Sequence, residues 1–284
     1  MILVDFSQIS IANMMVLCRG DTSGVNEDMF RHMVLNSLRS YRSKFHAKYG
    51  ELVLCCDNRS WRKAVWPNYK VKRARTKAKS AHDWTALYGM MDKIKEEIKQ
   101  VFPYKVLSVE NCEADDLIAI ICQFCDPDSK HLILSGDHDF IQLQSYPNVD
   151  QYSPVQKKWV KCPAGMSVSH YLHQEIIKGC SGDGIPNIRS ADDAFIAEDG
   201  RQLPLTKTFL KTVLDSSQED FPTEELKERY DRNSRLIDFA EIPYTIQQTI
   251  LSEFEQEPKG DRRRILTYFI EKKCKHLIEY IQDF

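Results

Sequence analysis

Four short apolar runs, each followed closely by carboxylates and separated by helical patterns, constrain what this chain can fold into. The stretch 2–6 reads as a buried strand ending at Asp5, and Leu52–Cys56 as a second ending at Asp57. Lys105–Val109 reads as a third, with Glu113, Asp115 and Asp116 just beyond it. His131–Leu134 reads as a fourth, followed by Asp137 and Asp139. Between them, residues from about 7 to 17 and from 27 to 48 carry helical patterns, the second with a stripe of Met33, Val34, Leu38, Tyr41 and Phe45. Trp84, Leu87, Met91, Ile94, Ile98 and Val101 recur at three- and four-residue steps until Pro103, and Ala114–Cys125 gives a further helix. Strands alternating with helices predict βαβ units: an α/β fold with a mostly parallel central sheet flanked by helices.

Residues 140–143 read as a turn or short helix and 146–160 as a hairpin. From about Gly165 no strand run follows, and helical patterns dominate to Phe284. The expected division is therefore an α/β domain over 1–164 and a helical domain over 165–284.

With 42% hydrophobic and 28% charged residues, the chain has the profile of a soluble globular protein. The apolar stretch Leu117–Cys125 is far short of the roughly 20 residues a membrane span needs. The first residues lack the basic flank of a signal peptide. Nine cysteines, an odd number set mostly in apolar runs, suit reduced thiols in a cytoplasm better than a disulfide framework.

The net charge of −2 conceals an asymmetry. Between Arg59 and Lys79 stand nine basic residues and no acid, which leaves 30 basic against 41 acidic residues elsewhere. A cationic segment on an acidic body points to a polyanionic partner. Trp61, Trp66 and Tyr69 lie among those cations. Basic groups on phosphates and aromatic faces on unpaired bases are the combination expected of a single-strand channel. The blander alternative is a solvated helix whose aromatics pack inward.

In open α/β sheets ligands bind beyond the carboxyl ends of the strands, where these acids collect. Any one of them has an ordinary explanation as a turn former, a cap or compensation of a helix dipole. Seven together would repel one another unless cations lay between them. Mg²⁺ with retained waters suits such oxygens, and paired ions serve phosphodiester hydrolysis. Zinc is disfavoured, because Cys122 and Cys125 have no second pair at the right spacing. In the second half, the glycine-rich stretch 179–188 offers backbone N–H groups that could hold a phosphate without reading sequence.

Taken together, these motifs resemble the bacteriophage ribonuclease H/flap endonuclease family of structure-specific 5′ nucleases. The matching residues are Val4-Asp-Phe-Ser7, Cys56-Asp-Asn58, Trp61-Arg62, Tyr69-Lys70-x-x-Arg73, Glu113-Ala-Asp-Asp116, Ser135-Gly-Asp-x-Asp-Phe140 and Gly182-Asp-Gly-Ile-Pro-Asn187. The resemblance implies a PIN-like nuclease core and a two-Mg²⁺ site, with Mn²⁺ able to substitute. Its implied ligands are Asp5, Asp57, Glu113, Asp115, Asp116, Asp137, Asp139 and Asp183. It also implies a basic arch over about 59–82, with Arg62, Lys70 and Arg73 as catalytic cations near the scissile phosphate. Trp61, Tyr69, Lys72, Lys77 and Lys79 would contact DNA. Gly182, Gly184 and Ile185 would hold the duplex backbone in a helix–hairpin–helix turn near 179–190, with a K⁺ there. The chain departs from the family pattern at Cys180, where an aspartate is usual. Soft sulfur is a poor Mg²⁺ ligand, so the second metal site would be weakened or water-mediated.

The implied activity is 5′→3′ exonuclease and flap endonuclease cleavage of DNA and RNA–DNA hybrids, as in removal of primers and flaps during phage replication. A single-strand-binding protein and replication machinery would be its partners, and the chain would act as a monomer in the host cytoplasm. The alternatives are a toxin-type ribonuclease, a phosphatase using an aspartyl nucleophile, and a non-catalytic branched- or single-stranded-DNA-binding protein of the same fold. Ser7, standing where a phosphatase of that kind would want a second aspartate, argues against the phosphatase.

Overall fold

The computed structural model describes residues 1–18, 25–196 and 200–284. Six strands form one sheet: β1 Ile2–Asp5, β2 Leu52–Cys55, β3 Lys105–Leu107, β4 His131–Leu134, β5 Val149–Ser153 and β6 Lys158–Val160. In chain order the helices are α1 Phe6–Cys18, α2 Glu27–Tyr49, α3 Arg62–Val65, α4 Val71–Ala78, α5 Trp84–Val101 and α6 Ala114–Phe124. They continue with α7 Val168–Lys178, α8 Lys207–Leu214, α9 Glu224–Ile237, α10 Tyr244–Glu255, α11 Ile265–Glu271 and α12 Lys275–Ile278.

The strand order is β3-β2-β1-β4-β5-β6, parallel except for the β5–β6 pair. The expected α/β fold and the hairpin at 149–160 are both present. Every residue of β1, β2 and β4 is buried, as parallel strands covered on both faces require. Ile2, Val4, Leu52, Leu54, Leu132 and Leu134 face a core shared with α1, α2 and α5. The alternate residues, such as Leu3, Val53 and Ile133, point to the opposite face, where α6 packs. The chain steps outward from β1 to β3 and returns to β4, so the order reverses between β1 and β4. That reversal is the usual ligand crevice of such sheets. Asp5 pairs in register with Cys55, which sets both strand ends level at the carboxyl edge.

Local signals explain the helices that frame this edge. The Asn26 side chain accepts from the Asp28 and Met29 N–H groups at the start of α2, and Gly50 closes it. In α5 the expected stripe is realised, with Leu87, Met91, Ile94 and Ile98 buried. The C-terminal residues complete the same core: Phe284 lies 5.6 Å from Phe102 and 5.1 Å from Phe269, centroid to centroid. Burial pushes the thiols of Cys55, Cys56 and Cys122 upward, and none of the nine cysteines, all of them among the described residues, forms a disulfide.

Compactness groups the chain into two units built from interleaved segments. One compact unit comprises Met1–Arg59, Ala81–Val160 and Thr245–Phe284; the other comprises Ser60–Ser80 and Lys161–Tyr244. The basic segment joins the second unit because Trp66 and Tyr69 pack with Ile176, Ile185, Leu236 and Ile237. Residues 265–284 join the first because Ile265, Phe269, Leu277 and Phe284 lie in the sheet's core. After α7 and its turn, the described residues up to 206 hold turns only, and the next helix is α8. Asn187 fixes this path, with its N–H on Gln202 Oε1 at 2.7 Å and its Nδ2 on Leu203 O at 2.9 Å.

Candidate active site

The sheet edge of the first unit carries seven of the expected carboxylates, Asp5, Asp57, Glu113, Asp115, Asp116, Asp137 and Asp139. They differ in burial: Asp57 and Asp137 are exposed, Asp115 and Asp139 half-buried, and Asp5, Glu113 and Asp116 buried. Asp57 Oδ1 accepts from the Ala114 N–H at 2.8 Å, joining the end of β2 to the start of α6. Asp116 Oδ2 accepts from the Glu113 N–H at 2.9 Å within a capping box, so part of the helix-start cluster does ordinary capping work.

Asp5 is under electrostatic pressure. Burial and the nearby Asp57 charge raise its carboxyl to about 7, against hydrogen bonds from the Gln8 N–H and the Ser135 hydroxyl. A carboxylate so placed invites a cation. Oxygen donors of this kind fit hard divalent ions. Among the described residues, no group of three or more histidine, cysteine, aspartate or glutamate side chains is placed to hold a metal ion.

A second layer, which the sequence did not reveal, holds the loop after β4. Ser135 Oγ donates to Asp5 Oδ2 at 3.0 Å and accepts from the Asp137 N–H at 3.2 Å. Gln8 Oε1 accepts from the Gly136 N–H at 2.6 Å. Gln151 Nε2 donates to Ser135 O at 3.0 Å and Asp137 O at 2.6 Å. A Cβ at Gly136 would stand 2.8 Å from Ser153 Oγ, so the serine hydroxyl would have to turn away. Gln8 and Gln151 sit in strand and helix patterns that look alike whatever their polar atoms bond. Only the Ser135-Gly136 dipeptide offered a signal.

In the second unit, α4 buries none of its residues and presents Lys72, Arg73, Arg75 and Lys77. Lys72, Arg75, Lys79 and Arg201 line a groove of about 880 Å³ with Phe195 and Gln202. The stacking expected of Trp61, Trp66 and Tyr69 is corrected: all three are buried, and the inward-packing alternative holds. Arg62 is buried as well, with its Nε on Leu236 O at 2.8 Å and its guanidinium 4.7 Å from the Trp61 ring centroid.

Asp183 also lies in this unit. Lys70 Nζ is 3.6 Å and Arg73 Nη1 3.8 Å from its carboxylate. Gly182 is exposed, but the duplex contact expected of Ile185 is corrected. Its side chain is buried, and its N–H is spent on Cys180 O at 2.8 Å. Gly184 is buried too, facing Asn68 O and Lys70 N. Cys180 packs against the cluster of Trp66, Tyr69 and Ile185. Two carbonyls of the turn already accept hydrogen bonds. Cys180 O is taken by Ile185, and Pro186 O accepts from Asn233 Nδ2 at 2.9 Å and Arg232 Nη2 at 3.2 Å.

The family model for the 5′-3′ exonuclease N-terminal resolvase-like domain matches residues 18–171, and that for the C-terminal region of T4 RNase H matches 167–284. Ribonuclease H of Enterobacteria phage T4 is 33% identical over a 296-residue alignment covering 99% of this chain and 95% of that protein. The chain belongs to the phage ribonuclease H/5′-3′ exonuclease family. This family member is accordingly a nuclease, which sets aside the non-catalytic, toxin-type and phosphatase alternatives. DNA polymerase I of Treponema pallidum is 27% identical over 161 residues, 54% of this chain and 15% of that protein. Two bacteriophage T5 structures share the fold of the nuclease. A flap endonuclease in a pseudo-enzyme–product complex with DNA and metal ions has a TM-score of 0.61 at 17% identity, covering 99% of this chain and 98% of its own. The 5′-exonuclease with bound zinc also scores 0.61, at 16% identity, covering 99% of both chains. Among the described residues no helix is long and apolar enough to cross a membrane.

Proposed function

We propose that this nuclease is a divalent-metal-dependent 5′→3′ exonuclease and flap endonuclease acting on DNA and RNA–DNA hybrids, and that it removes primers and flaps during phage DNA replication. The observation that carries the reading is the convergence of Asp5, Asp57, Glu113, Asp115, Asp116, Asp137 and Asp139 on the sheet's carboxyl edge, with Asp5 raised to about 7 by burial and by Asp57. In this reading those residues hold two Mg²⁺ ions, or Mn²⁺, directly or through water. Bound there, such ions supply an activated water and neutralise charge on the attacking and leaving oxygens. Asp183, the eighth ligand the resemblance implies, belongs to the second unit, where Lys70 Nζ and Arg73 Nη1 lie 3.6 and 3.8 Å from its carboxylate.

The protein's own groups do the rest. Asp57 and Asp137, being exposed, offer oxygens to solvent-borne ions, while Ser135, Gln8 and Gln151 hold the loop that aims Asp137. Lys70, Arg73 and the groove cations Lys72, Arg75 and Lys79 bind substrate phosphates by charge alone, as sequence-independent recognition requires. Arg62, buried on Leu236 O, acts by positioning the start of this segment. Branched DNA is the partner this charge distribution suits. Action as a monomer in the host cytoplasm beside a single-strand-binding protein completes the reading.

The test uses a labelled 5′-flap substrate and an RNA–DNA hybrid. Asp137→Asn keeps shape and removes charge, so cleavage in Mg²⁺ should fall by orders of magnitude while flap binding in Ca²⁺ survives. Near-normal turnover by Asp137→Asn, or parent activity undiminished in EDTA, would overturn the proposal.

A further inference from the structure

We propose that Asp183 is the latch of the cationic segment: a positioning residue that holds Lys70 and Arg73 to the 179–188 turn without any metal. The contacts come from three neighbouring residues at once. The Tyr69 hydroxyl donates to Asp183 Oδ2 at 3.4 Å. Lys70 Nζ lies 3.6 Å from that oxygen, and Arg73 Nη1 lies 3.8 Å from Oδ1. The Lys70 N–H donates to the Asp183 carbonyl at 2.7 Å.

Lys70 needs such support. It precedes α4 with φ 60° and ψ 13°, a left-handed conformation that is strained for a non-glycine residue. The turn is shaped for the contact. Gly184, at φ +75°, brings its backbone close to Asn68 O and Lys70 N, so that a Cβ would stand 3.5 Å from the former. Gly179, at φ +66°, leaves no room for a Cβ, which would lie 2.4 Å from Ile185 O. Tyr69 is buried, so its hydroxyl presents a fixed donor to the carboxylate. The side chain of Asp183 is only 20% exposed, which keeps its charge close to the cations and partly out of water.

The two ion pairs are longer than direct hydrogen bonds, so a phosphate can replace the carboxylate as the cations' partner without moving α4. That last step rests on reading Lys70 and Arg73 as phosphate-binding; the latch itself does not.

The experiment uses the full chain in EDTA. Asp183→Asn keeps the backbone bond to Lys70 and removes the charge. Amide exchange over residues 70–78, and trypsin cleavage after Arg73, Arg75 and Lys77, should then rise about three- to tenfold, while exchange in β1 and β4 stays unchanged. The pair Lys70→Gln with Arg73→Gln, which removes the trypsin site at 73, should give the same rise in exchange and in cleavage after Arg75 and Lys77, and adding Asp183→Asn to it should give no more. A metal ligand with no latch role would leave metal-free exchange unchanged in Asp183→Asn, and that result overturns the proposal. Additive effects of the three changes would overturn it as well. Should Asp183→Asn fail to fold, the Lys70/Arg73 pair decides alone, with unchanged exchange as the negative result. Cleavage assays play no part, so failure of the nuclease reading and failure of the latch are told apart.

Discussion

Asp5 carries an unresolved conflict between burial and charge. Its carboxyl is raised from 3.8 to about 7, chiefly by burial and then by Asp57. A folded carboxyl that holds its proton more tightly than the unfolded chain loses stabilising effect as pH rises across that window. Metal-free protein should therefore weaken between about pH 4 and pH 7, and Asp5→Asn should remove the penalty. Thermal unfolding in EDTA should show the variant above the parent at pH 8 and level with it near pH 4; equal midpoints at pH 8 would refute the account. Gln151 has the opposite character, a fully satisfied amide serving two carbonyls. Truncating it as Gln151→Ala leaves Ser135 O and Asp137 O unpaired, at about 1–3 kcal/mol, and should raise the metal concentration for half-maximal cleavage. Metal titration of both proteins checks this. The acids were legible in the sequence because each follows an apolar run. Their supports were not, since nothing local shows where an amide side chain will bond.

At the scale of the element, α4 separates two tasks by helix face. Lys70 and Arg73 turn to Asp183, whereas Lys72 and Arg75 line the groove with Lys79, with Lys72 Nζ 4.6 Å from the Phe195 centroid and Arg75 Nη1 3.0 Å from Ile196 O. Replacing Lys72, Arg75 and Lys79 by Gln should weaken DNA binding at low salt. It should also flatten the salt dependence by about one unit of log–log slope per lost phosphate contact. Titrations at several ionic strengths measure both; an unchanged slope would remove the groove from the DNA path. The cationic run announced this element, but the roles of its aromatics were misread. A tryptophan among cations looks the same in sequence whether it faces a base or a core. Ile176, Ile185 and Leu236, more than a hundred residues away, decided the matter.

For the whole molecule, the strand-to-helix alternation was legible because it rests on local periodicity, whereas the order of the strands in the sheet was not. The interleaving of the two units rests on contacts between distant segments and was not. One such contact set centres on Glu97. Burial would raise its carboxyl, but hydrogen bonds from Arg31, Lys272 and Tyr268 overcome that and hold it at about 2. The group joins α2, α5 and α11, with Arg31 Nε at 2.7 Å, Lys272 Nζ at 2.8 Å and the Tyr268 hydroxyl at 2.8 Å. Because the folded value lies below the unfolded one, this stabilisation is present above about pH 4.5 and is lost as pH falls toward 2. Glu97→Gln should flatten the acid limb of the stability curve, as read by circular dichroism from pH 5 to pH 2. An unchanged limb would place the acid sensitivity elsewhere.

The placement of Phe269, Leu277 and Phe284 in the core of the sheet has a consequence for how the protein is made. A ribosome that has delivered β1 to β6 has not yet delivered Tyr268, Phe269 and Phe284, three of the aromatic side chains around Phe102. The nascent chain must wait, with that part of its core open to water, until residues 265–284 emerge. The sheet edge that gathers the carboxylates thus becomes a finished scaffold only after that distant segment has been made, and translation itself delays the appearance of an active nuclease.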